Sequence, residues 1–307
     1  MMNMRDLIII GSGPAGLTAA IYGKRAGLDT LVIDESGVGG GQVVTTYEVD
    51  NYPGLPGIGG FELGEKFKEH AKNAGAEFLD AKVTAAFKND DVFNVTTSDG
   101  LQQARALIIA TGAQHNRLNV PGEGELLGMG VSYCATCDGA FFKNRVTAVV
   151  GGGDVALEDA LFLARSCTKV YLIHRRDSFR GAKKLVDLVK ATHNIEIVYD
   201  SIVTEIYGEY QVEGIKVDNV KSGENSTITI DGIFIAVGMH PTTEAFSGLV
   251  ELDDKGYVIA GEDGVTSTPG VFAAGDSRTK KVRQIVTAAA DGANAVQSVT
   301  DYFNSMH

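Results

Sequence analysis

LIIIGSGPAGLTAAIYGKRAGLDTLVID, residues 7–34, has the pattern of a β-strand, a glycine turn, a helix and a second strand. Gly11, Gly13 and Gly16 fit G-x-G-x-x-G directly after the apolar run. Such glycines allow a tight turn and a close approach of backbone N–H groups to a pyrophosphate, which also meets the positive end of the helix. Because a strand, a helix and a later acid accompany the glycines, the stretch predicts a dinucleotide-binding unit rather than a plain turn.

The same plan recurs in VTAVVGGGDVALEDALFLARSCTKVYLIH, residues 146–174. Gly151, Gly153 and Ala156 supply the G-x-G-x-x-A form, and the second strand ends at the same distance from the first glycine as in the first copy. The chain therefore predicts an α/β fold with two Rossmann-like nucleotide-binding domains, each built in three layers.

The residues at the end of the second strand differ between the copies. The first copy has Asp34-Glu35, and an acid there accepts hydrogen bonds from a free ribose hydroxyl, which suits FAD. The second copy has His174-Arg175-Arg176, followed by Arg180, and arginines there suit the 2′-phosphate of NADPH. The alternative is a solvated, salt-bridged face, but the placement at this strand end favours the phosphate.

Each copy ends in a strand that leads into a glycine and a polar segment, in ALIIATGAQHN (106–116) and GIFIAVGMHPT (232–242). We expect the chain to cross between domains there, so that 1–113 and 242–307 form a FAD-binding domain and 114–241 an inserted NADPH-binding domain. In the returning segment a strand ends at Gly275-Asp276, and a helix begins near Arg283-Gln284. Asp276 would hold a ribityl or ribose hydroxyl, or it is a plain turn residue.

Two of the three cysteines lie in SYCATCDG, residues 132–139, with the two-residue spacing of Cys134 and Cys137. This spacing occurs in metal sites, in structural disulfides and in redox pairs. A structural zinc site requires four ligands, and neither Cys167 nor the six histidines provide the spacing, so no metal is expected. A Cys-x-x-Cys pair at a helix start favours thiolate formation and electron transfer, whereas Cys167 is expected to be a small buried or half-buried side chain.

Asp138, directly after the pair, cannot favour a thiolate by its own charge. If burial raises its pKa, it can instead give or take the proton that dithiol chemistry requires. The alternative is a simple N-cap for the following segment.

The composition is that of a globular protein, with 307 residues, 44% hydrophobic and 21% charged residues and a formal charge of −12. The charge argues against a nucleic-acid surface, and the apolar runs are too short for a membrane span. The N-terminus has only Arg5 before the first strand and no signal-peptide pattern, so we expect a cytoplasmic location.

Nearly the whole chain resembles the low-molecular-weight, bacterial-type thioredoxin reductases. The motifs that carry the resemblance, in combination and order, are Gly11-Ser-Gly-Pro14-Ala15-Gly16, Gly40-Gly41-Gln42, Asn51-Tyr-Pro-Gly54, Ala110-Thr111-Gly112, Cys134-Ala-Thr-Cys-Asp138, His174-Arg-Arg-Asp-Ser-Phe-Arg180, Gly275-Asp276 and Arg283-Gln284. In the second glycine motif, Asp154 follows Gly153.

The resemblance implies a homodimer in which NADPH reduces bound FAD and FAD reduces a Cys134–Cys137 disulfide. By position, Cys137 would face the flavin, Cys134 would attack thioredoxin and Asp138 would donate the proton. Gln42, Asn51, Asp276 and Gln284 would contact the flavin, and Arg175, Arg176 and Arg180 would contact the phosphate of NADPH. The other residues of these motifs that are expected to bind a cofactor are Pro14, Ala15, Gly41, Thr111, Gly112, Gly275, Arg283, Asp154 and His174.

The dithiol and the NADPH site lie in the same predicted domain, and both must reach the flavin, which belongs to the FAD-binding domain. The resemblance implies that the NADPH domain rotates about two hinges, near 113–117 and 239–243. Met129 stands where the family commonly has a basic residue, and Val155 where it often has Ser or Thr. Phe141 and Phe142 would dock thioredoxin or fill the core.

Other functions stay open from the sequence. One is a related dithiol flavoenzyme with another electron donor, acceptor or thioredoxin-like partner, although the chain keeps both NADPH signatures. A second is a non-catalytic, flavin-bound redox sensor, which would show no steady NADPH consumption with any disulfide.

Overall fold

Strand β1 (Met4–Ile10) leads into the first glycine turn, and its second half, residues 7–10, is buried on both faces, as expected for a central strand of a parallel sheet. Leu7 and Ile9 pack into one apolar cluster, and Ile8 and Ile10 into another on the opposite face. This alternation follows from the two-residue period of a strand. The computed structural model describes residues 4–46 and 48–306.

Strands outnumber helices in the described part of the chain. The strands after β1 are β2 (Thr30–Asp34), β3 (Glu77–Asp80), β4 (Val83–Asn89), β5 (Val92–Thr97), β6 (Gly100–Ile109), β7 (Ala113–His115), β8 (Val131–Ser132), β9 (Val146–Gly151), β10 (Lys169–Ile173), β11 (Ile195–Val198), β12 (Ser201–Tyr207), β13 (Gly214–Asn219), β14 (Asn225–Thr229), β15 (Gly232–Ala236), β16 (Met239–Pro241) and β17 (Val271–Ala273). The helices are α1 (Pro14–Arg25), α2 (Gly60–Asn73), α3 (Ala135–Asp138), α4 (Asp154–Ala164), α5 (Lys183–Ala191) and α6 (Ile285–Ser305).

The chain divides into two compact units. Unit 1 contains the residues up to Gln114 and those from His240 onward, and unit 2 is His115–Met239. The connecting strands β7 and β16 pair with each other where the chain passes from one unit to the other.

Unit 1 is built on a sheet with the order β3-β2-β1-β6, in which all neighbours are parallel. The far edge of β6 pairs with antiparallel β5 at its beginning and with parallel β17 at its end. Helices α1 and α6 cover one face, and α6 approaches α1 closely because Gly292 has no Cβ, which would lie 2.1 Å from the carbonyl oxygen of Ala15.

Unit 2 repeats the arrangement with a parallel sheet in the order β11-β10-β9-β15-β8. Val149 of β9 packs into the cluster that includes α4, whereas Ala148 and Val150 face the antiparallel sheet β12-β13-β14. Helix, parallel sheet and antiparallel sheet therefore form three layers.

In both sheets the strand order reverses beside the strand that carries the glycine motif, and ligands bind at such a point in open α/β sheets. The predicted α/β class with two Rossmann-like folds is confirmed. In the part of the chain that the structure describes, no helix combines the length and apolarity needed to cross a membrane.

Candidate active site

The first glycine turn lies at the carboxyl end of β1. Gly11 has φ +107°, and a Cβ there would lie 2.3 Å from the carbonyl oxygen of Ala110. A Cβ on Gly16 would lie 1.9 Å from the carbonyl oxygen of Gly11. Gly13 differs, because the nearest atom to its Cβ position is the Cα of Gly41 at 4.0 Å. Two glycines thus serve protein packing, and the third leaves room beside the start of α1 that a pyrophosphate would fill.

Asp34 ends β2 and is bound by the turn itself. Its Oδ2 accepts from the Ser12 N–H at 2.7 Å, and its Oδ1 accepts from the N–H and hydroxyl of Ser36 at 2.8 and 2.6 Å. Burial raises the pKa of Asp34, but these hydrogen bonds together outweigh it and leave the pKa below its usual value. Glu35 is exposed and lies 3.5 Å from Lys82 Nζ. Asp34 therefore fixes the turn as an ionised acceptor.

Three further predicted residues of unit 1 have polar atoms that are unpaired within the described chain: Thr111 follows the carboxyl end of β6, Asp276 follows that of β17, and Arg283 lies just before α6. Thr111 Oγ1, Asp276 Oδ1 and Arg283 Nε are buried and have no hydrogen-bond partner among the described residues. Buried polar atoms normally have a partner, so unpaired ones mark where a ligand supplies it. Burial raises the pKa of Asp276, while Lys280 and Arg283 act to lower it. These residues fit the hydroxyl and amide groups of FAD.

The remaining predicted flavin contacts are also in unit 1. Asn51 Nδ2 donates to Gln284 Oε1 at 2.9 Å, and Gln284 caps the N-terminus of α6. Gln42 Nε2 donates to the carbonyl oxygen of Ala113. At Gly112, with φ +69°, no atom of residues 4–46 or 48–306 lies within 4 Å of the position that a Cβ would take.

A buried ion network holds the turn at Gly275. Asp291 of α6, 6% exposed, accepts from Gly275 N–H at 2.9 Å and from Lys280 Nζ at 2.8 Å. Arg278 donates to both of its oxygens, from Nε at 2.9 Å and Nη2 at 2.7 Å. Sequence patterns missed this network, because a single acid inside a helix has no local signature, although it lies in the segment that contains Gly275-Asp276.

In the second glycine turn, as in the first, one glycine is required by close packing and another leaves open space. A Cβ on Gly151 would lie 2.4 Å from the carbonyl oxygen of Ala236, whereas a Cβ on Gly153 would meet no atom within 4 Å in the described chain. Asp154, the first residue of α4, accepts from the Ala182 N–H through Oδ1 at 2.7 Å. The open space at Gly153 fits a second pyrophosphate.

His174 is buried against this turn, and the arginines that follow it in the chain are exposed. His174 is 5% exposed, and a Cβ on Gly152 would lie 2.1 Å from its ring. Burial lowers the pKa of His174, and the positive charges of Arg176 and Arg180 lower it further. The side chains of Arg175, Arg176 and Arg180 are exposed and form no ion pair with any described residue, which counts against the salt-bridged face.

Cys134 and Cys137 are joined by a disulfide at the start of α3. Both are half-buried, and the N–H groups of Cys137 and Asp138 donate to the carbonyl oxygen of Cys134 at 3.2 and 3.1 Å. Thr136 Oγ1 lies 3.4 Å from Cys134 Sγ. The predicted placement of the pair at a helix start is confirmed.

Asp138 is connected to Cys134 through Ser132, which the sequence motifs did not single out. Ser132 Oγ donates to Asp138 Oδ2 at 2.6 Å and accepts from the Cys134 N–H at 3.0 Å. Asp138 Oδ1 is buried and has no partner in the described part of the chain. Burial raises the pKa of Asp138, and the Ser132 bond lowers it by less. The side chain makes no capping bond to the 3-10 turn that follows, so the N-cap interpretation is not supported.

Tyr133, the residue before Cys134, is anchored by a buried acid. Its hydroxyl donates to Glu123 Oε1 at 2.7 Å, and its ring stacks on His115 with centroids 5.1 Å apart. Glu123, 3% exposed, also accepts from the N–H groups of Leu118 and Asn119 at 3.0 and 2.7 Å. The segment that enters unit 2 is thereby tied to the segment that carries the disulfide.

The other residues around the pair separate into core and surface. Phe142 packs edge-on against Phe234 with centroids 5.3 Å apart, whereas Phe141 and Met129 are 41% and 46% exposed. Cys167 is buried, as predicted. Within 4–46 and 48–306, no group of three or more His, Cys, Asp or Glu residues could hold a metal ion.

Comparison with known proteins gives a consistent result over nearly the whole chain. A family model described as pyridine nucleotide-disulphide oxidoreductase matches residues 5–292. The thioredoxin reductase of Listeria monocytogenes is 47% identical over 302 residues, which cover 98% of this chain and 94% of that protein. The thioredoxin reductase of Bacillus subtilis is 43% identical over 302 residues, with 98% and 95% coverage.

Solved structures agree. The thioredoxin reductase from Streptococcus pyogenes has a TM-score of 0.93 and 43% identity and covers 98% of this chain and 99% of its own. The thioredoxin reductase from Giardia duodenalis has a TM-score of 0.92 and 38% identity, with 99% and 100% coverage.

Proposed function

The chain belongs to the pyridine nucleotide-disulphide oxidoreductases, and within them to the thioredoxin reductases, and on this premise we propose that Cys134 and Cys137 are its redox-active pair. Membership makes it an NADPH-dependent flavoprotein oxidoreductase, and the resemblance recognised in its motifs is confirmed. The observation that carries the assignment to this pair is the disulfide at the start of α3, next to the carboxyl of Asp138, whose buried Oδ1 has no partner among the described residues.

The cofactor sites follow from the two glycine turns. FAD belongs to unit 1, held by the turn at Gly13, the unpaired atoms of Thr111, Asp276 and Arg283, and the other predicted contacts there. NADPH belongs to unit 2, held by the turn at Gly153 and by the arginines after β10. When bound, FAD supplies a two-electron carrier between NADPH and the disulfide.

Reduction of the disulfide adds two electrons and two protons and yields two thiols. Asp138 is suited to deliver one of these protons, because its raised pKa keeps it protonated at a higher pH than an ordinary aspartate. Ser132 holds its Oδ2, so that Oδ1 stays available for the proton. The bond through the Cys134 N–H fixes the carboxyl relative to the pair.

The reduced pair then acts by thiol–disulfide exchange. The Cys134 thiolate attacks a partner's disulfide, forming a mixed disulfide and releasing a partner thiolate. The Cys137 thiolate next attacks Cys134 Sγ, which restores the disulfide and releases the partner as a dithiol. We assign the partner as thioredoxin or a thioredoxin-like protein, and the exposed Met129 and Phe141 as candidates for its docking surface.

Because the dithiol and the NADPH site are both in unit 2, they would reach the flavin in turn. We therefore propose rotation of unit 2 about the segments near 113–117 and 239–243. An engineered disulfide that locks the units should abolish turnover, and turnover that survives the lock would contradict rotation. A homodimer in the cytoplasm is the expected assembly and location, which sedimentation over a dilution series and cell fractionation would test.

The central test is NADPH oxidation with oxidised thioredoxin as acceptor, measured for the wild type, Cys137→Ser and Cys167→Ser. Loss of turnover in Cys137→Ser and full turnover in Cys167→Ser would support the proposal, since the second variant removes a cysteine outside the pair. If NADPH reduces the flavin of the wild type but thioredoxin is not turned over, the cofactor assignment stands and the partner is a protein other than thioredoxin. No steady NADPH consumption with any disulfide would favour a redox sensor.

A further inference from the structure

The arginine loop, residues 175–181, connects β10 to the segment before α5. Its three arginines are exposed and form no ion pair within the described chain. A long, exposed guanidinium side chain binds a phosphate well only if the backbone beneath it is fixed, because the entropy lost in ordering the loop opposes binding. The contacts that fix this loop therefore bear on its affinity for phosphate.

The first half of the arginine loop is fixed by contacts with an aromatic cluster formed by His174, Phe179 and Tyr199. The ring of His174 stacks on Phe179 at 5.1 Å, and Phe179 contacts Tyr199 at 5.2 Å. His174 Nε2 lies 3.0 Å from the carbonyl oxygen of Ser178, and Asp200 N–H donates to the carbonyl oxygen of Arg176 at 3.2 Å.

The second half is held by the glycine turn and the helix that follows it. The Arg180 N–H donates to the carbonyl oxygen of Gly152 at 2.8 Å, and the Ala182 N–H donates to Asp154 Oδ1 at 2.7 Å. Between these bonds, a Cβ on Gly181 would lie 2.4 Å from Leu157 of α4, so the loop lies against this helix. The backbone of Arg180 is thus pinned on both sides.

We propose that Asp154 is a positioning residue for recognition of the 2′-phosphate, acting through Arg180. Asp154 is the first residue of α4 and follows Gly153, so its carboxylate moves with the turn assigned to the pyrophosphate. Its bond to Ala182 sets the spacing between that turn and Arg180. A dinucleotide must meet both at once, so this spacing determines the preference for NADPH over NADH. The inference rests on the assignment of NADPH to unit 2.

The charge of Asp154 separates this role from two simpler ones. A carboxylate near an anion site repels phosphate, so removing it should strengthen binding if only its charge mattered. A carboxylate in the first turn of a helix also stabilises the helix, and that role affects unfolding but not discrimination between ligands. Only a positioning role predicts that removal weakens binding of the 2′-phosphate selectively.

The test is calorimetric binding of two probes to the FAD-loaded protein, 2′,5′-ADP and 5′-AMP, which differ only in the 2′-phosphate. Asp154→Ala should lower the affinity for 2′,5′-ADP about tenfold and leave the affinity for 5′-AMP unchanged. Asp154→Asn, which keeps an acceptor oxygen, should restore wild-type binding. Ala182→Pro removes the donor of the same bond at a backbone φ of −56° that proline accepts, and should reproduce the selective loss even if Asp154→Ala does not fold.

Two further variants complete the design. Asp187→Ala removes an exposed charge from α5 without touching the loop and should change neither probe. The double variant Asp154→Ala/Arg180→Ala should bind 2′,5′-ADP no more weakly than Arg180→Ala alone, because the two residues act in series. A wild type that does not prefer 2′,5′-ADP would contradict the NADPH assignment itself. A wild type that does prefer it, with the preference intact in Asp154→Ala, would overturn the role of Asp154.

Discussion

Two aspartates, the buried Asp291 and the half-buried Asp138, show how the same residue type serves opposite purposes. Asp291 has donors on both oxygens, from Gly275, Arg278 and Lys280. Asp138 has one donor, from Ser132, and one buried oxygen without a partner in the described chain. A saturated carboxylate stabilises the fold around it, whereas an unsaturated one is held at a cost that function explains.

Asp138→Asn should therefore slow turnover and raise stability at neutral pH. The raised pKa means that the folded protein binds this proton more tightly than the unfolded chain, so stability falls as pH rises through the interval between the two pKa values. The asparagine side chain does not ionise, so the variant does not lose this stability as the pH rises. We expect turnover with thioredoxin to fall about 100-fold and the melting temperature at pH 7 to rise. A lower melting temperature at pH 7 would contradict this account.

Asp291→Asn should have the opposite effect on stability. It breaks a buried ion pair and leaves the cations of Arg278 and Lys280 uncompensated, which costs about 3–5 kcal/mol. Because Asp291 also holds Gly275, FAD should be released at a lower temperature, as followed by flavin fluorescence. Asp301→Asn, an exposed position on the same helix, is the matched control and should change neither value.

Asp159 of α4 gives a prediction about pH. Burial, with a smaller contribution from Glu158, raises its pKa to about 7. The folded protein holds the proton that the unfolded chain releases at lower pH, so this group costs progressively more stability as pH rises toward 7. Asp159→Asn should unfold at a higher temperature than the wild type, by a margin that grows between pH 5 and 7. A margin independent of pH would refute the shift.

What the sequence could not predict at this scale were side-chain contacts that depend on the folded path of the chain. Asp34 was expected to bind a ribose, and its use by Ser12 and Ser36 depends on how the turn folds back onto β2. Ser132 lies beside the recognised motif, but its bond to Asp138 requires the geometry of α3. The individual cofactor contacts stay predictions.

At the scale of elements, each glycine turn can be tested against the other. Gly13 and Gly153 have φ values of −73° and −97°, which alanine accepts, and no atom of the described residues lies closer than 4.0 Å to either Cβ position. A methyl group there fills only the space assigned to a pyrophosphate. Gly13→Ala should lower FAD affinity tenfold or more and spare 2′,5′-ADP binding, and Gly153→Ala should do the reverse.

The measurements are FAD content after gel filtration and calorimetric titration with 2′,5′-ADP. Each variant is the control for the other. Loss of both ligands in either variant would mean that the substitution disturbs the fold rather than one site.

The sequence predicted these two elements because a strand, a glycine turn and a helix are encoded by neighbouring residues. It did not predict the antiparallel sheet β12-β13-β14. Strand β14 is almost entirely exposed and so lacks the alternation that marks a strand with one buried face. Its pairing with β13 depends on packing over the far side of the parallel sheet, which no short window of sequence contains.

At the scale of the whole molecule, unit 2 contains everything a small domain needs. It has its own five-stranded sheet and an apolar cluster on each face, and the residues of both clusters lie between His115 and Met239. We expect residues 115–239 alone to unfold cooperatively and to bind 2′,5′-ADP within about threefold of the intact protein. Non-cooperative melting by circular dichroism would contradict this expectation.

The pairing of β17 with β6 has a consequence for biosynthesis. The whole of unit 2 is synthesised before β17 and α6, so the site assigned to NADPH can begin to fold while the flavin site still lacks β17 and α6. Until then β6 keeps an unpaired edge at its end, and Leu7 and Ile9 lack their cover from α6. A nascent chain stalled late in translation would thus carry a folded unit 2 inserted in an incomplete unit 1. We expect such a chain to require a chaperone, or rapid completion of synthesis, to avoid aggregation.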